Sequence, residues 1–396
     1  MKRIRLAHVF SYFHTLGGVE AVLRHHHEHD AKHGFDSDFI IYFETDARRT
    51  DRVHFLGLNS NSSSIALGRK MFGDAIREIN PEVVLYHGLW GVPFLADLDG
   101  AKRRAVVVHG EVPRVRDMLI DRQRWMDGIA CISEPLVRIV GQTLPAFPKT
   151  RIEFLRLPIT PPKPEPHPRL ENRPLVLGFC SRLTIEQKRV DLLPKLSAEL
   201  DQLGVNYRIE FLGDGLDRAL LESFFCDRSR STFHGVKSGA DYWKILNSWD
   251  ALISVSDYEG TPIALLEALA MGVVPVFPTI GSGGEGYVRQ VSSNFIFPKG
   301  DVGAAARSIQ LLTQASFEQT EIWRRAAMRS VEVHLGDNYL IQVSAFLRNL
   351  LSLPEIKTDK GRVPPFPINH LSFTKLAKIR HFSRSLRELV FREKKT

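Results

Sequence analysis

Cysteine is scarce. Three of 396 residues, at 131, 180 and 226 and without a CxxC pair, leave nothing from which to build a disulfide framework or a cysteine-rich zinc site. Cys131 and Cys180 stand inside apolar runs (GIACIS, LVLGFCS), where a thiol reads as a small buried hydrophobe. No apolar run approaches the roughly 18 residues of a membrane-spanning helix. The opening MKRIRLAHVF has too short an apolar stretch for a signal-peptide core and reads as a first strand, so the expected location is cytoplasmic. There is no GxxxxGK[ST] loop, and Gly17-Gly18 in SYFHTLGGVEAVL does not make a GxGxxG fingerprint, which weighs against ordinary P-loop and dinucleotide readings.

What is present is an ordinary globular composition, 43% hydrophobic and 25% charged, in a chain long enough for two domains. The formal charge of +8 and a pI near 9.4 favour anionic partners such as nucleotide phosphates or acidic lipid headgroups.

Short runs rich in Val, Ile and Phe (RIRLAHVF, SDFIIYF, EVVLYHG, RAVVVHG, GIACIS, IEFL) alternate with amphipathic stretches such as VEAVLRHHHEHDAKHG. Strand alternating with helix implies a parallel sheet covered on both faces. The proline-packed LPITPPKPEPHPRLENRP then interrupts regular structure, and the alternation restarts with PLVLGFC, a helix from about Arg189 to Leu203, YRIEFLG, a helix from about Leu216 to Phe225, STFHG, DALISVS, VVPVFP and NFIFP. The expected plan is an α/β chain with a first doubly wound domain over 1–160, a linker over 161–174 and a second such domain over 175–335. A helix over 336–352 returns to the first domain, and a basic amphipathic tail occupies 353–396. The last 26 residues hold eight lysines and arginines against two glutamates.

Ligands of such sheets bind beyond the carboxyl ends of the strands. After DALISVS comes DYEGTPIALLEALAMG: Glu259 falls in the loop, Pro262 suits a first helical turn, Glu267 lies within the helix and Gly272 ends it. The amide groups around Thr261, Ile263 and Ala264 at the helix start form an anion site, flanked by two carboxylates that can accept from hydroxyls. Arg182 and Lys188, in GFCSRLTIEQKRVD, supply cations suited to a diphosphate. Gly213 and Gly215 mark another strand-to-helix turn.

In this order GGVE, VVHG, CISE, SRLTIEQK, GDG, FHGVKS and EGTPIALLEALAMGVVPV resemble the large retaining glycosyltransferase family 4, whose GT-B fold sets two Rossmann-like domains across a cleft. The resemblance spans roughly residues 1–350 and is strongest over 174–300. It implies that Arg182 and Lys188 bind the diphosphate of a UDP- or GDP-sugar, that Glu267 accepts from the ribose, and that Glu259 contacts the donor sugar above Thr261, Pro262 and Ile263. Val236 would meet the base through its backbone, Gly213 would allow close approach, and Gly17 and Gly18 would approach from the other domain. His109 corresponds to the family's active-site histidine, and His87 could line the acceptor side. Catalysis in the family retains the anomeric configuration and needs no metal or other cofactor. A sugar or lipid-linked glycan acceptor follows, and the tail suggests an anionic membrane surface as a partner.

The sequence departs from the family pattern at Cys180-Ser181, where a glycine commonly precedes the arginine, and at IGSGGEGYV, where Gly283 and Gly284 receive no role. DSD (36–38) and DLD (97–99) are read as ordinary acidic pairs and HHHEH (25–29) as a solvated helix face, neither as a metal site. The rival readings are a nucleotide-sugar epimerase, a non-catalytic nucleotide- or glycan-binding protein, and a nucleic-acid-binding protein. No recognisable basic and aromatic module supports the last, so nucleic acid is not an expected partner.

Overall fold

The computed structural model describes residues 2–15, 17–45, 50–110, 114–166, 173–227, 229–356 and 370–376. Seven strands form the first sheet: β1 (Ile4–Phe10), β2 (Phe35–Ile41), β3 (Val53–Phe55), β4 (Val83–His87), β5 (Arg103–Val108), β6 (Gly128–Cys131) and β7 (Ile152–Phe154). They run parallel in the order β3-β2-β1-β4-β5-β6-β7. Six form the second: β8 (Leu175–Cys180), β9 (Tyr207–Leu212), β10 (Ser231–Gly235), β11 (Ala251–Ile253), β12 (Val274–Thr279) and β13 (Ile296–Pro298). These are also parallel, in the order β10-β9-β8-β11-β12-β13. Each sheet reverses its strand order once, between β1 and β4 and between β8 and β11, and those reversals open crevices at the strand ends. The architecture is the expected pair of Rossmann-like domains.

The central strands are buried on both faces, as their unbroken apolar runs require: all five residues of β4 and all six of β5 are buried. β3 went unread because VHF is three half-buried residues at an edge, with no apolar run to signal it. The expected helix from about Arg189 to Leu203 is present as a tight turn Val190–Leu192 running into the helix Leu193–Gln202, and a separate turn precedes it. A one-turn helix Ile185–Lys188 ends at Arg189, which takes a left-handed conformation (φ +50°), and the long helix begins at Leu193, with Pro194 in its first turn. Arg189 is held there by Asp191 at 3.0 Å and Asp257 at 3.2 Å, which ties the Lys188 turn to the DYEG loop.

The chain crosses from the first domain to the second near Leu157–Ile159 and returns near His334. The two crossings lie side by side: Ile159 N–H donates to His334 O (3.2 Å), and His334 Nδ1–H donates to Leu157 O (2.6 Å). The helix Asn338–Ser352 then packs on the first domain. Phe346 and Leu350 press so close to Gly128 that a Cβ there would meet Leu350 at 2.4 Å, and Arg103 Nε donates to Leu350 O at 2.7 Å. Residues 370–376 also dock on the first domain. Phe373 fills an aromatic pocket between Phe43 and Trp90 above Gly68, and Thr374 N–H donates to Ser60 O. Leu376 is buried there, whereas the remaining apolar and basic positions of the tail, from Lys378 onward, lie outside the described residues.

HHHEH is not a solvated face. His26 is fully buried, and His25 and His29 stack on each other with ring centroids 4.6 Å apart. The helix lies between the sheet and the last helix, so its histidines face protein on two sides. The acidic strings are ion-paired: Asp36 and Asp38 with Arg52, Asp97 with Arg69, and buried Asp99 with Arg104.

Candidate active site

The loop after β11 carries Glu259 to the cleft, and its helix runs from Ile263 to Ala270 with Pro262 as the extended residue before it. Lys188 Nζ donates to Glu259 Oε1 at 2.5 Å, an ion pair whose two side chains are largely buried. Gln187 Nε2 donates to Tyr258 O at 3.0 Å, and Arg182 Nη2 donates to Gln187 Oε1 at 2.9 Å. Arg182, Gln187, Lys188 and Glu259 therefore form one polar chain along the strand ends.

Three strand ends are drawn together by Gly213. Its φ is +138°, and a Cβ there would lie 2.0 Å from Ser181 O, so only glycine lets the β9 turn lie against the β8 turn. Gly213 N–H donates to Gly235 O at 2.8 Å, and the next residue, Val236, is about half exposed.

Glu267 sits inside the helix, as expected, and takes a partner that the sequence did not suggest. Tyr242 Oη donates a short hydrogen bond to its Oε2, and Cys180 Sγ lies 3.7 Å from the same hydroxyl. Burial pushes the Glu267 carboxyl up to about 7, with the Tyr242 bond opposing. Cys180 is half-buried at the cleft, not a core residue, and burial lifts its thiol to about 12.

The first domain meets this loop through backbone. A Cβ on Gly260 would lie 2.2 Å from His109 O and 3.1 Å from Gly110 Cα, and Thr261 Oγ1 donates to Ile132 O at 3.0 Å. A Cβ on Gly18 would lie 3.4 Å from Ile263 Cδ1, whereas one on Gly17 would first meet the Glu20 carboxylate, at 2.2 Å. Burial drives the His109 pKa down to about 3, so the ring is neutral near pH 7; its Nε2 is buried and has no hydrogen-bond partner among the described residues. The His87 and His109 rings stack at 5.6 Å, but His87 is itself buried.

Gly283 has a steric reason to be glycine: a Cβ would strike Thr261 Oγ1 at 2.3 Å and Ser133 Cβ at 2.5 Å. The GSGGEG turn around it is satisfied internally, since Glu285 Oε1 accepts from the amides of Ile280, Gly281 and Ser282. Gln187, Gly110 and Ile132 lie inside the motifs SRLTIEQK, VVHG and CISE without a role of their own, and Tyr242 lies in none; only their folded neighbours identify them.

Residues 174–315 match the family model described as glycosyl transferases group 1. The chain is 26% identical over 196 residues to WcaL of Escherichia coli K12, a proposed colanic acid biosynthesis glycosyltransferase; the match covers 47% of this chain and spans about half (48%) of that relative. Among solved structures, the lipopolysaccharide outer core galactosyltransferase WaaB superposes with a TM-score of 0.64 at 16% identity, covering 87% of this chain and 99% of that one. WaaG, a glycosyltransferase of lipopolysaccharide biosynthesis, does so with 0.65 at 13% identity (86% and 98%), and Anabaena HepE, in complex with UDP and glucose, with 0.68 at 12% (89% and 100%). Residues 174–315 therefore resemble group 1 glycosyl transferases, and the two domains share the GT-B fold of the solved structures.

Proposed function

We propose that the protein is a retaining glycosyltransferase that moves a sugar from a nucleotide-diphosphate sugar to a hydroxyl of a sugar or lipid-linked glycan in surface polysaccharide or glycolipid assembly. The observation that carries this reading is the Lys188–Glu259 pair, set at the strand ends of the matched domain on the loop that touches His109 and Gly110. The diphosphate takes over Lys188 and Arg182, and the freed Glu259 turns to the hydroxyls of the donor sugar. Ionised Glu267 accepts from the ribose in place of Tyr242, Val236 meets the base through its backbone, and the helix start at Thr261, Pro262 and Ile263 supports the phosphates. Gly17, Gly18 and Gly213 leave room for the donor.

Neutral His109 donates from its buried ring to a sugar hydroxyl beside the reacting carbon. The bond from that carbon to phosphate oxygen breaks while the acceptor oxygen bonds on the same face, and the departing diphosphate takes the acceptor's proton. Arg182 and Lys188 hold the charge that develops, so electrostatic stabilisation is the protein's main contribution. No metal enters the transfer: turnover is expected to be indifferent to added magnesium or manganese. HepE, solved with UDP and glucose, supports a UDP-sugar as the first donor to try.

Thermal stabilisation and slow hydrolysis across a panel of UDP- and GDP-sugars is the direct test. One donor should raise the midpoint and release its sugar with the anomeric configuration kept. Binding without hydrolysis or transfer would favour a non-catalytic glycan or nucleotide binder, and conversion of the sugar while still attached would favour an epimerase.

A further inference from the structure

Behind the cleft, where His87 stacks on His109, the first domain buries a polar cluster to which the transfer assigns no step. His8 from β1, His26 from the first helix (Gly18–His29), Asp30 just after it, His87 from the end of β4 and Tyr339 from the last helix are each at most 2% exposed. Asp30 organises them. Its Oδ2 accepts from His8 Nε2 at 3.0 Å and from Ser37 Oγ at 2.5 Å, and its Oδ1 accepts from His26 Nδ1 at 2.8 Å. In neutral rings, the other nitrogens, His8 Nδ1 and His26 Nε2, then carry bare lone pairs. His8 Nδ1 meets His87 Nε2 at 2.9 Å, and His26 Nε2 meets Tyr339 Oη at 2.9 Å. One nitrogen from each of the three histidines lies within 4.8 Å of the other two.

A carboxylate holding the far N–H of an imidazole while the near lone pair converges on a common point is the usual support of a metal-ligating histidine. Charge argues the same way. Among the described residues Asp30 has ion-pair contacts only with His8 and His26, and with no lysine or arginine. A buried carboxylate needs a countercharge, which here is either a proton on an imidazole or a bound cation.

We propose that His8, His26 and His87, with Tyr339 as fourth ligand and Asp30 orienting His8 and His26 from behind, form a structural site for a divalent transition metal of the zinc class. Three imidazoles and one phenolate oxygen suit a closed tetrahedral ion. On binding, the proton between His8 and His87 moves to His87 Nδ1, a buried nitrogen without a partner among the described residues, and the Tyr339 hydroxyl proton is released to solvent. The ion would join β1, the first helix and β4 to the helix that returns from the second domain. The proposal is independent of the transfer reading.

The test uses the full chain, produced with zinc and passed into metal-free buffer. Elemental analysis should find about one zinc per chain, and cobalt in its place should give the visible absorption of a four-coordinate ion. A strong chelator should lower the thermal midpoint, with zinc restoring it. Asp30→Asn should weaken retention about tenfold or more, and Tyr339→Phe, which keeps the ring packing, should alter the cobalt spectrum. Should a variant fail to fold, the measurements on the unaltered chain decide. Less than about a tenth of an equivalent after refolding with zinc, together with a midpoint blind to chelator and zinc, would overturn the proposal; a protonated histidine would then supply the countercharge.

Discussion

An ammonium and a carboxylate 2.5 Å apart at the cleft neutralise each other until a charged ligand separates them. Lys188→Ala should therefore leave Glu259 partly buried without its partner and, on the proposed reading, remove a phosphate contact. Turnover is expected to fall by about 10²–10³ or more, as when one transition-state donor is lost. Steady-state kinetics check this, and near-normal turnover would refute the assignment. Glu267 makes a prediction in pH. Its folded carboxyl keeps a proton up to about 7, against the usual 4.5, so the folded state binds more protons in between and loses stability as pH rises through that window. Glu267→Gln should raise stability above pH 7 by about 1–3 kcal/mol, read by denaturant titration. Nucleotide affinity should tighten from pH 6 to 8 in the parent, as the carboxylate forms, and stay flat in the Gln variant. Arg182, Lys188, Glu259 and Glu267 were legible because motif and strand-end position coincide. Tyr242, 25 residues before Glu267, was not, because helical or strand periodicity cannot pair side chains across a fold.

At the scale of elements, two glycines carry opposite expectations. Gly178 lies within β8, where a Cβ would overlap the Trp249 ring at 2.0 Å; Trp249 is fully buried and its Nε1 donates to Glu210. Gly178→Ala should overpack the second domain and cost about 1–3 kcal/mol, visible as a lower unfolding midpoint. Gly260 instead meets His109 O across the domain boundary. Gly260→Ala should spare each core while forcing the loop away from His109, so turnover drops far more than the midpoint. The long central strands were readable as continuous apolar runs. β3 was too short to leave a pattern, and the left-handed turn at Arg189 that separates Ile185–Lys188 from the next helix is held by ion pairs to Asp191 and Asp257, of which only the nearer is local in sequence.

At the scale of the molecule, the docked segment 370–376 decides where a tail truncation should fall. A chain ending at Ile368 would lose the Phe373 plug along with the basic stretch, whereas one ending at Leu376 keeps the plug. If the tail binds acidic lipid, the full chain should sediment with anionic vesicles at low salt, release at high salt, and the Leu376-terminated form should stay free. Equal binding by both would place any lipid contact elsewhere.

The paired crossings at Leu157–Ile159 and His334 have a further meaning. Topologically the second domain is an insert: the chain leaves the first domain, folds the second sheet, and comes back to finish the first. Cutting at the proline linker would not yield a free first domain, because the piece that covers Gly128 and grips Arg103 lies downstream of the insert. The insert itself is a cassette with both ends at one point. A homologous second domain could be exchanged there by two splices beside Ile159 and His334, leaving the first domain chemically whole.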